Sequence, residues 1–256
     1  MIELRIDDAV AHVTLNARDR LNALDERAVR DLADAYAQAE DAGVRALVLR
    51  GEGRAFCAGR DISAVDPRTD DVPGYLDGLV TPLLRQISAF PAPTFAAAHG
   101  ACLGVGLGLL IATDVVYVSA SAKIGSPFGA LGATLDSGGH ALFYERLGAH
   151  RTLDLIYTGR LMTGEEVVRA GLFSQVMPDD EVVAAVQDAA TRAAAGATAA
   201  FVASKRLVAQ LRDERLGLWQ SMAAENAAQA ALCDTDDYRE GFAAFQAKRK
   251  PEFRGV

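Results

Sequence analysis

The chain has 256 residues, half of them apolar, which is enough for one large α/β domain, or a domain with a small appendage, around a sizeable buried core. A formal net charge of −8 leaves no electrostatic footprint for nucleic acid, although locally clustered basic side chains still permit a phosphorylated ligand. No run of about 18 apolar residues is present, so no membrane span is expected, and the N-terminus lacks the charged-then-apolar layout of an export signal. The protein is therefore read as cytoplasmic. Cys57, Cys102 and Cys233 are far apart and odd in number, which fits neither a disulfide framework nor a metal site.

In chain order, Ile2–Ile6 and Ala9–Leu15 alternate apolar and polar residues around Asp7–Asp8 and predict two short strands. Asp25 offers a helix cap, and Val29, Leu32, Ala33, Tyr36 and Ala39 follow at helical spacing up to Gly43. Val44–Leu49 is a mostly apolar run, as in a buried parallel strand. A glycine-bearing loop, Gly51–Ser63, and a polar stretch around Asp66–Asp71 lead into a helical pattern ending at Phe90. Thr94–Ala98 and Val115–Val118 read as strands, with a helix over Gly104–Thr113 between them. A helix after Asp136 ends at Gly148. Beyond it, Thr163–Ala170, Asp179–Ala195, Thr198–Leu211 and Arg215–Leu232 read as helices and only Ser174–Met177 as a strand. Repeated β-then-α units thus precede a helical tail, and residues 1–195 and 196–256 are the expected core and appendage.

Two glycine-rich segments each follow a predicted strand: Phe56-Cys57-Ala58-Gly59-Arg60-Asp61-Ile62 and His99-Gly100-Ala101-Cys102-Leu103-Gly104-Val105-Gly106. Small residues at a strand end let a ligand approach the backbone and leave peptide N–H groups free to point at it. Two such groups on one oxygen make an oxyanion hole. Either segment alone reads equally as a simple turn.

As a pair, and at this separation, the segments resemble the two signature segments of the enoyl-CoA hydratase/isomerase (crotonase) family. The resemblance extends to Arg20-Leu21-Asn22-Ala23-Leu24, to Thr158-Gly159-Arg160 with Ala170-Gly171-Leu172-Phe173, and to Phe245-Gln246-Ala247-Lys248-Arg249-Lys250 with Phe253. It implies an α/β fold: a spiral of β-β-α units with a C-terminal helical trimerisation region, assembled as a homotrimer or a dimer of trimers. It also implies an acyl-CoA thioester as substrate, coenzyme A being part of that substrate, with no permanently bound cofactor and no metal. By the same resemblance the backbone N–H groups of Arg60 and Val105 polarise the thioester carbonyl. Arg20, Leu21 and Leu24 pack at the adenine end of coenzyme A; Ala58, Gly59, Arg60, Asp61, Ile62, Gly104 and Phe128 line the ligand site; and Phe245 and Lys248 reach coenzyme A held by a neighbouring subunit. Each has a plainer alternative. Asp61 fixes a turn or caps a helix. The Arg60 side chain faces solvent or a phosphate, and Lys248 a phosphate or water. His99, Cys57 and Cys102 are packed residues rather than a base or nucleophiles.

Hydratases of this family position water with two glutamates, and those positions fall on Gly108 and Phe128, neither of which transfers a proton. One carboxylate, Asp136 in Gly132-Ala133-Thr134-Leu135-Asp136-Ser137-Gly138-Gly139-His140, stands where the resemblance puts the acid/base group of double-bond and ring-epoxide phenylacetyl-CoA isomerases. It is also well placed to cap the following helix, which would lower its pKa. His140 is read as packing. The expected activity is one-base isomerisation of a coenzyme A thioester. The alternatives are a hydratase-like, hydrolytic or dehalogenating reaction of the same family, or acyl-CoA binding without catalysis.

Overall fold

The computed structural model describes all 256 residues. Strands β1 (Ile2–Asp7) and β2 (Val10–Leu15) form an antiparallel hairpin, and Asp8 takes the left-handed φ of 49° at its turn. Helix α1 (Glu26–Asp41) starts where expected: the Asp25 carboxylate accepts the Ala28 N–H at 2.8 Å. Strand β3 (Ala46–Gly51) follows. The helical pattern before Phe90 resolves into α2 (Val72–Tyr75), a wider turn over Leu76–Val80, and α3 (Thr81–Ala89). Then come β4 (Thr94–Ala98), β5 (Ala101–Leu103), α4 (Val105–Ala112), β6 (Val115–Ser119) and β7 (Lys123–Gly125).

A 3-10 turn (Phe128–Leu131) leads to α5 (Gly139–Thr158), which breaks at Gly148 (φ 75°, ψ 171°), the predicted helix end. Helix α6 (Gly164–Arg169), β8 (Gln175–Met177) and α7 (Val182–Ala194) complete the core. The tail consists of α8 (Thr198–Glu214), α9 (Leu218–Leu232) and α10 (Asp236–Gln246).

The main sheet has the order β1-β2-β3-β4-β6-β8, parallel after the first pair, and β5 and β7 form a second, two-stranded parallel sheet. The central strands β3 and β4 of the main sheet are apolar except at Arg50 and Thr94, because both faces are covered. Leu47 and Leu49 pack with Leu32 and Tyr36 of α1, Leu83 and Ile87 of α3, and Leu107 and Leu110 of α4. Ala46 and Val48 face the other way, against Val182, Val186 and Ala190 of α7. Each such Leu or Val stabilises the fold by about 1.5–3 kcal/mol when fully buried. The connection from β4 to β5 turns the chain from the large sheet into the small one, and α4 follows at once. This β-β-α unit sets the second glycine segment against the first.

The expectation missed β5, β7 and α10. The first two are three-residue strands whose pairing is entirely non-local. Helix α10 carries a legible start: Thr235 Oγ1 accepts the Tyr238 N–H at 3.2 Å, and Asp236 and Asp237 lie in the first turn. Helix α9 begins at Leu218 rather than Arg215 because Arg215 is left-handed (φ 54°) and ends α8.

Candidate active site

The two glycine segments are zipped together by their backbones. The Cys57 N–H donates to the Ala101 carbonyl and the Leu103 N–H to the Cys57 carbonyl, both at 3.0 Å. On the opposite side, segment 20–24 is paired with the same loop. The Ala58 N–H donates to Leu21 O at 3.0 Å, the Leu24 N–H to Gly59 O at 2.8 Å, and the Asp61 N–H to Leu24 O at 2.9 Å. Backbone groups alternate sides along an extended chain. With Gly59 O and Asp61 N turned to segment 20–24, the Arg60 N–H points the other way, on the side where Cys57 meets β5. It donates to no group in the protein, and neither does the Val105 N–H at the start of α4. Gly59 and Gly104 permit this approach. Both have positive φ (106° and 53°), a Cβ on Gly59 would stand 3.0 Å from Leu103 O, and one on Gly104 would stand 2.7 Å from the Phe128 ring. Two unpaired N–H groups beside a helix N-terminus, with an aromatic ring packed over the loop, can receive an oxygen that gains negative charge.

Asp136 lies on the turn before α5, half-buried. The capping alternative is not what the fold adopts. Gly138 occupies the cap position, and no side chain there accepts from the helix. The one side-chain hydrogen bond of Asp136 comes from the Ser137 hydroxyl to Oδ1 at 2.8 Å. Burial raises its pKa above the usual carboxylate range, while the Ser137 hydroxyl and the Arg60 charge oppose that rise. The expected depression by a cap is therefore reversed. Gly108 is a neighbour: a Cβ on it would stand 2.5 Å from Ser137 Cβ.

The Arg60 side chain faces neither solvent nor a free anion site. Asp70 holds it with two hydrogen bonds of 2.8 and 2.6 Å, over the Tyr75 ring at 4.1 Å, and the Tyr75 hydroxyl donates to Leu24 O at 3.2 Å. The fold thus brings a second acid, Asp70, to the loops, where the sequence suggested Asp136 alone. The Arg60 guanidinium keeps the Asp70 pKa below the carboxylate range, so Asp70 is a weak base. Asp61 fixes a turn, accepting from the Ser63 N–H at 3.0 Å and hydroxyl at 2.6 Å, and it pairs with Arg20 at 2.7 Å. Leu24 is fully buried, so it contributes backbone pairing and shape rather than an exposed surface. Ile62 is 49% exposed beside Asp61.

Sequence reasoning gave no role to Asn22, which ties these segments together. Fully buried and left-handed (φ 59°), it accepts from the Ala17 N–H at 2.7 Å and donates to Glu52 O at 3.0 Å and Ala55 O at 2.7 Å.

Cys57 and Cys102 are buried core residues; burial pushes the Cys57 thiol up to about 12 and raises the Cys102 thiol well above the usual thiol range. A His99 ring nitrogen hydrogen-bonds to Gly53 O at 3.1 Å. His140 is exposed rather than packed. Phe245 and Lys248 are both exposed. Phe245 lines a groove of about 330 Å³ with Tyr238, Phe242 and Phe253, whose lining is drawn from C-terminal residues and includes none of the glycine loops. No three or more His, Cys, Asp or Glu side chains cluster as a metal site, and no helix is long and apolar enough to cross a membrane.

A family model for enoyl-CoA hydratase/isomerase matches residues 5–256. The chain is 31% identical to a 1,2-epoxyphenylacetyl-CoA isomerase of Escherichia coli (strain K12), over 98% of this chain and 97% of that protein. It is 36% identical to a Rhizobium meliloti (strain 1021) protein named "Probable enoyl-CoA hydratase", over 96% and 94%. A solved chain from Mycobacterium abscessus superposes with a TM-score of 0.91 at 30% identity, covering all of both chains. An enoyl-CoA hydratase from Bacillus anthracis does so at 0.90 and 25% identity, covering 100% of this chain and 99% of that one. The match runs through both glycine loops and the C-terminal helices alike, and the chain belongs to the enoyl-CoA hydratase/isomerase family.

Proposed function

We propose that the protein is a coenzyme A thioester isomerase that moves a proton with one base, Asp136. The observation that carries this reading is the state of that carboxylate: half-buried, free of any capping duty and raised in pKa, while the two hydratase glutamate positions hold Gly108 and Phe128. The thioester oxygen accepts from the Arg60 and Val105 N–H groups, which stabilise the enolate by roughly 3–4 kcal/mol per donor. Asp136 removes a proton from carbon next to the enolate system and returns it elsewhere, so acid and base are one group and no water need be split. Phe128, packed at Gly104, gives the acyl end an apolar, aromatic wall. The likeness to an epoxyphenylacetyl-CoA isomerase supports an aryl or unsaturated acyl group.

Arg20, Leu21, Ala58, Gly59, Asp61 and Ile62 frame the coenzyme A end in this reading. Phe245 and Lys248 serve the site of a neighbouring subunit in a homotrimer or dimer of trimers joined through residues 196–256, and the protein works in the cytoplasm. The test is incubation with a panel of enoyl-, dienoyl- and aryl-CoA thioesters in deuterated water, read by mass spectrometry. Deuterium exchange or isomerisation without added mass of water is expected. Hydration of crotonyl-CoA at a rate on the order of 1–1000 per second would overturn the one-base reading in favour of a hydratase.

A further inference from the structure

Three observations meet at Ser137. It is a non-glycine residue in the left-handed region (φ 52°), where an L side chain is strained and a glycine is not. Its hydroxyl is 2.8 Å from Asp136 Oδ1, while Oδ2 has no partner within the chain. Its Cβ and carbonyl fill the space beside Gly108, where a Cβ at 108 would lie 2.5 Å from Ser137 Cβ, 3.1 Å from Ser137 O and 3.3 Å from Leu84 Cδ1. The Leu84 methyl can swing aside, but Ser137 Cβ is the root of its side chain and moves only with the backbone. Helix propensity favours alanine over glycine inside α4, and the contact with Ser137 reverses that preference at 108.

We infer that Ser137 is the positioning residue of the isomerase site, holding Asp136 by one oxygen and presenting the other to substrate, and that Gly108 is the space this turn requires. The inference rests on Asp136 being the base. The Gly108–Ser137 contact then sets the reaction class, because a side chain at 108 displaces the Asp136 turn and the two arrangements exclude each other. The hydroxyl also favours the ionised carboxylate against the burial that disfavours it.

The experiment compares Ser137→Ala, Ser137→Gly, Gly108→Ala and the Gly108→Ala/Ser137→Gly pair with the parent. It measures kcat, KM and the pH dependence of kcat/KM for isomerisation or deuterium exchange, with thermal melting as the check on folding. Ser137→Ala keeps the Cβ and loses the hydroxyl. We expect kcat to fall roughly tenfold with KM nearly unchanged, and the acid limb of kcat/KM to move to higher pH. Ser137→Gly suits the left-handed backbone and supplies the same loss if the alanine variant folds poorly. Gly108→Ala alone should lower kcat, yet cost less once Ser137 is glycine, since the 2.5 Å clash with Ser137 Cβ is gone and only the 3.1 Å contact with its carbonyl remains. A pH profile unchanged in both Ser137 variants, or effects of Gly108→Ala and Ser137→Gly that simply multiply, would overturn the inference. If that happens while Asp136→Asn is inactive, the one-base reading stands and only the positioning role falls; full activity in Asp136→Asn removes both.

Discussion

The glycine loops and the C-terminal helices distribute apolar surface in opposite ways. Around the loops, Phe56, Cys57, Val105 and Leu107 are at most 1% exposed, and segment 20–24 and β5 pair with the loop backbone on either side. Along α8–α10, Val208, Leu218, Trp219 and Phe245 are 65%, 69%, 76% and 84% exposed. A single chain therefore supplies everything the loops need to hold their shape, whereas the tail carries large side chains that the chain itself leaves uncovered. In the proposed assembly these side chains would be covered by a neighbouring copy. The difference separates a region where substitutions should change chemistry or folding from one where they should change assembly.

The largest effect is expected at Asp136. Asp136→Asn should lower proton exchange by about 10²–10⁴-fold while acyl-CoA binding persists; full activity would end its catalytic assignment. The parent should lose activity as pH falls through the raised pKa of Asp136, because the base must be ionised. Stability carries the matching sign. A raised folded-state pKa means that ionisation of Asp136 weakens the fold as pH rises through that value, whereas below the unfolded value of about 4 the carboxyl is neutral in both states. Asp136→Asn should thus melt at or above the parent at neutral pH, with the gap closing in acid, and calorimetry across pH reads this directly.

Asn22→Ala should produce the largest loss of stability. It strands the Ala17 N–H and the Glu52 and Ala55 carbonyls, which costs roughly 3 kcal/mol or more. That corresponds to a fall in Tm of about 10 °C, and a melt within about 2 °C of the parent's would show that the loops do not depend on this staple. In the tail, Trp219→Asp should leave circular dichroism unchanged but reduce the particle mass by light scattering. An unchanged mass would remove the exposed face of α9 from the assembly surface. The smallest effect is expected at Arg68→Ala. Its pair with Asp66 is exposed, so neither Tm nor kcat should move measurably; a change would mean that segment 61–71 acts through more than the Arg60–Asp70 contact.

The start of α1, the apolar runs of β3 and β4 and the break at Gly148 were legible because each depends on residues within a turn or two of one another. So were the two glycine loops, whose composition already indicates close approach of backbone. The strands β5 and β7 were not, since three residues carry no period and their ladder joins residues 22 apart at Ala101 and Lys123. Helix α10 is marked in the sequence by the Thr235 cap and by Tyr238, Phe242 and Phe245 at helical spacing, a signal the expectation missed. Asp70 was invisible as a partner of Arg60: nothing local marks one aspartate of a polar stretch as the one that folds back.

The sequence by itself carried the family, through its paired glycine segments, and the two-faced parallel sheet, through its apolar runs. Tertiary structure alone decided that Asp136 does not cap α5. In sequence a helix cap and a half-buried carboxylate free of capping are the same aspartate before Ser-Gly-Gly. They part only when Gly138 takes the cap position, Ser137 turns left-handed against Gly108, and the fold half-buries the carboxylate. Burial and close contact are properties of segments far apart in the chain, and they set a carboxylate's charge more strongly than its neighbours in sequence do.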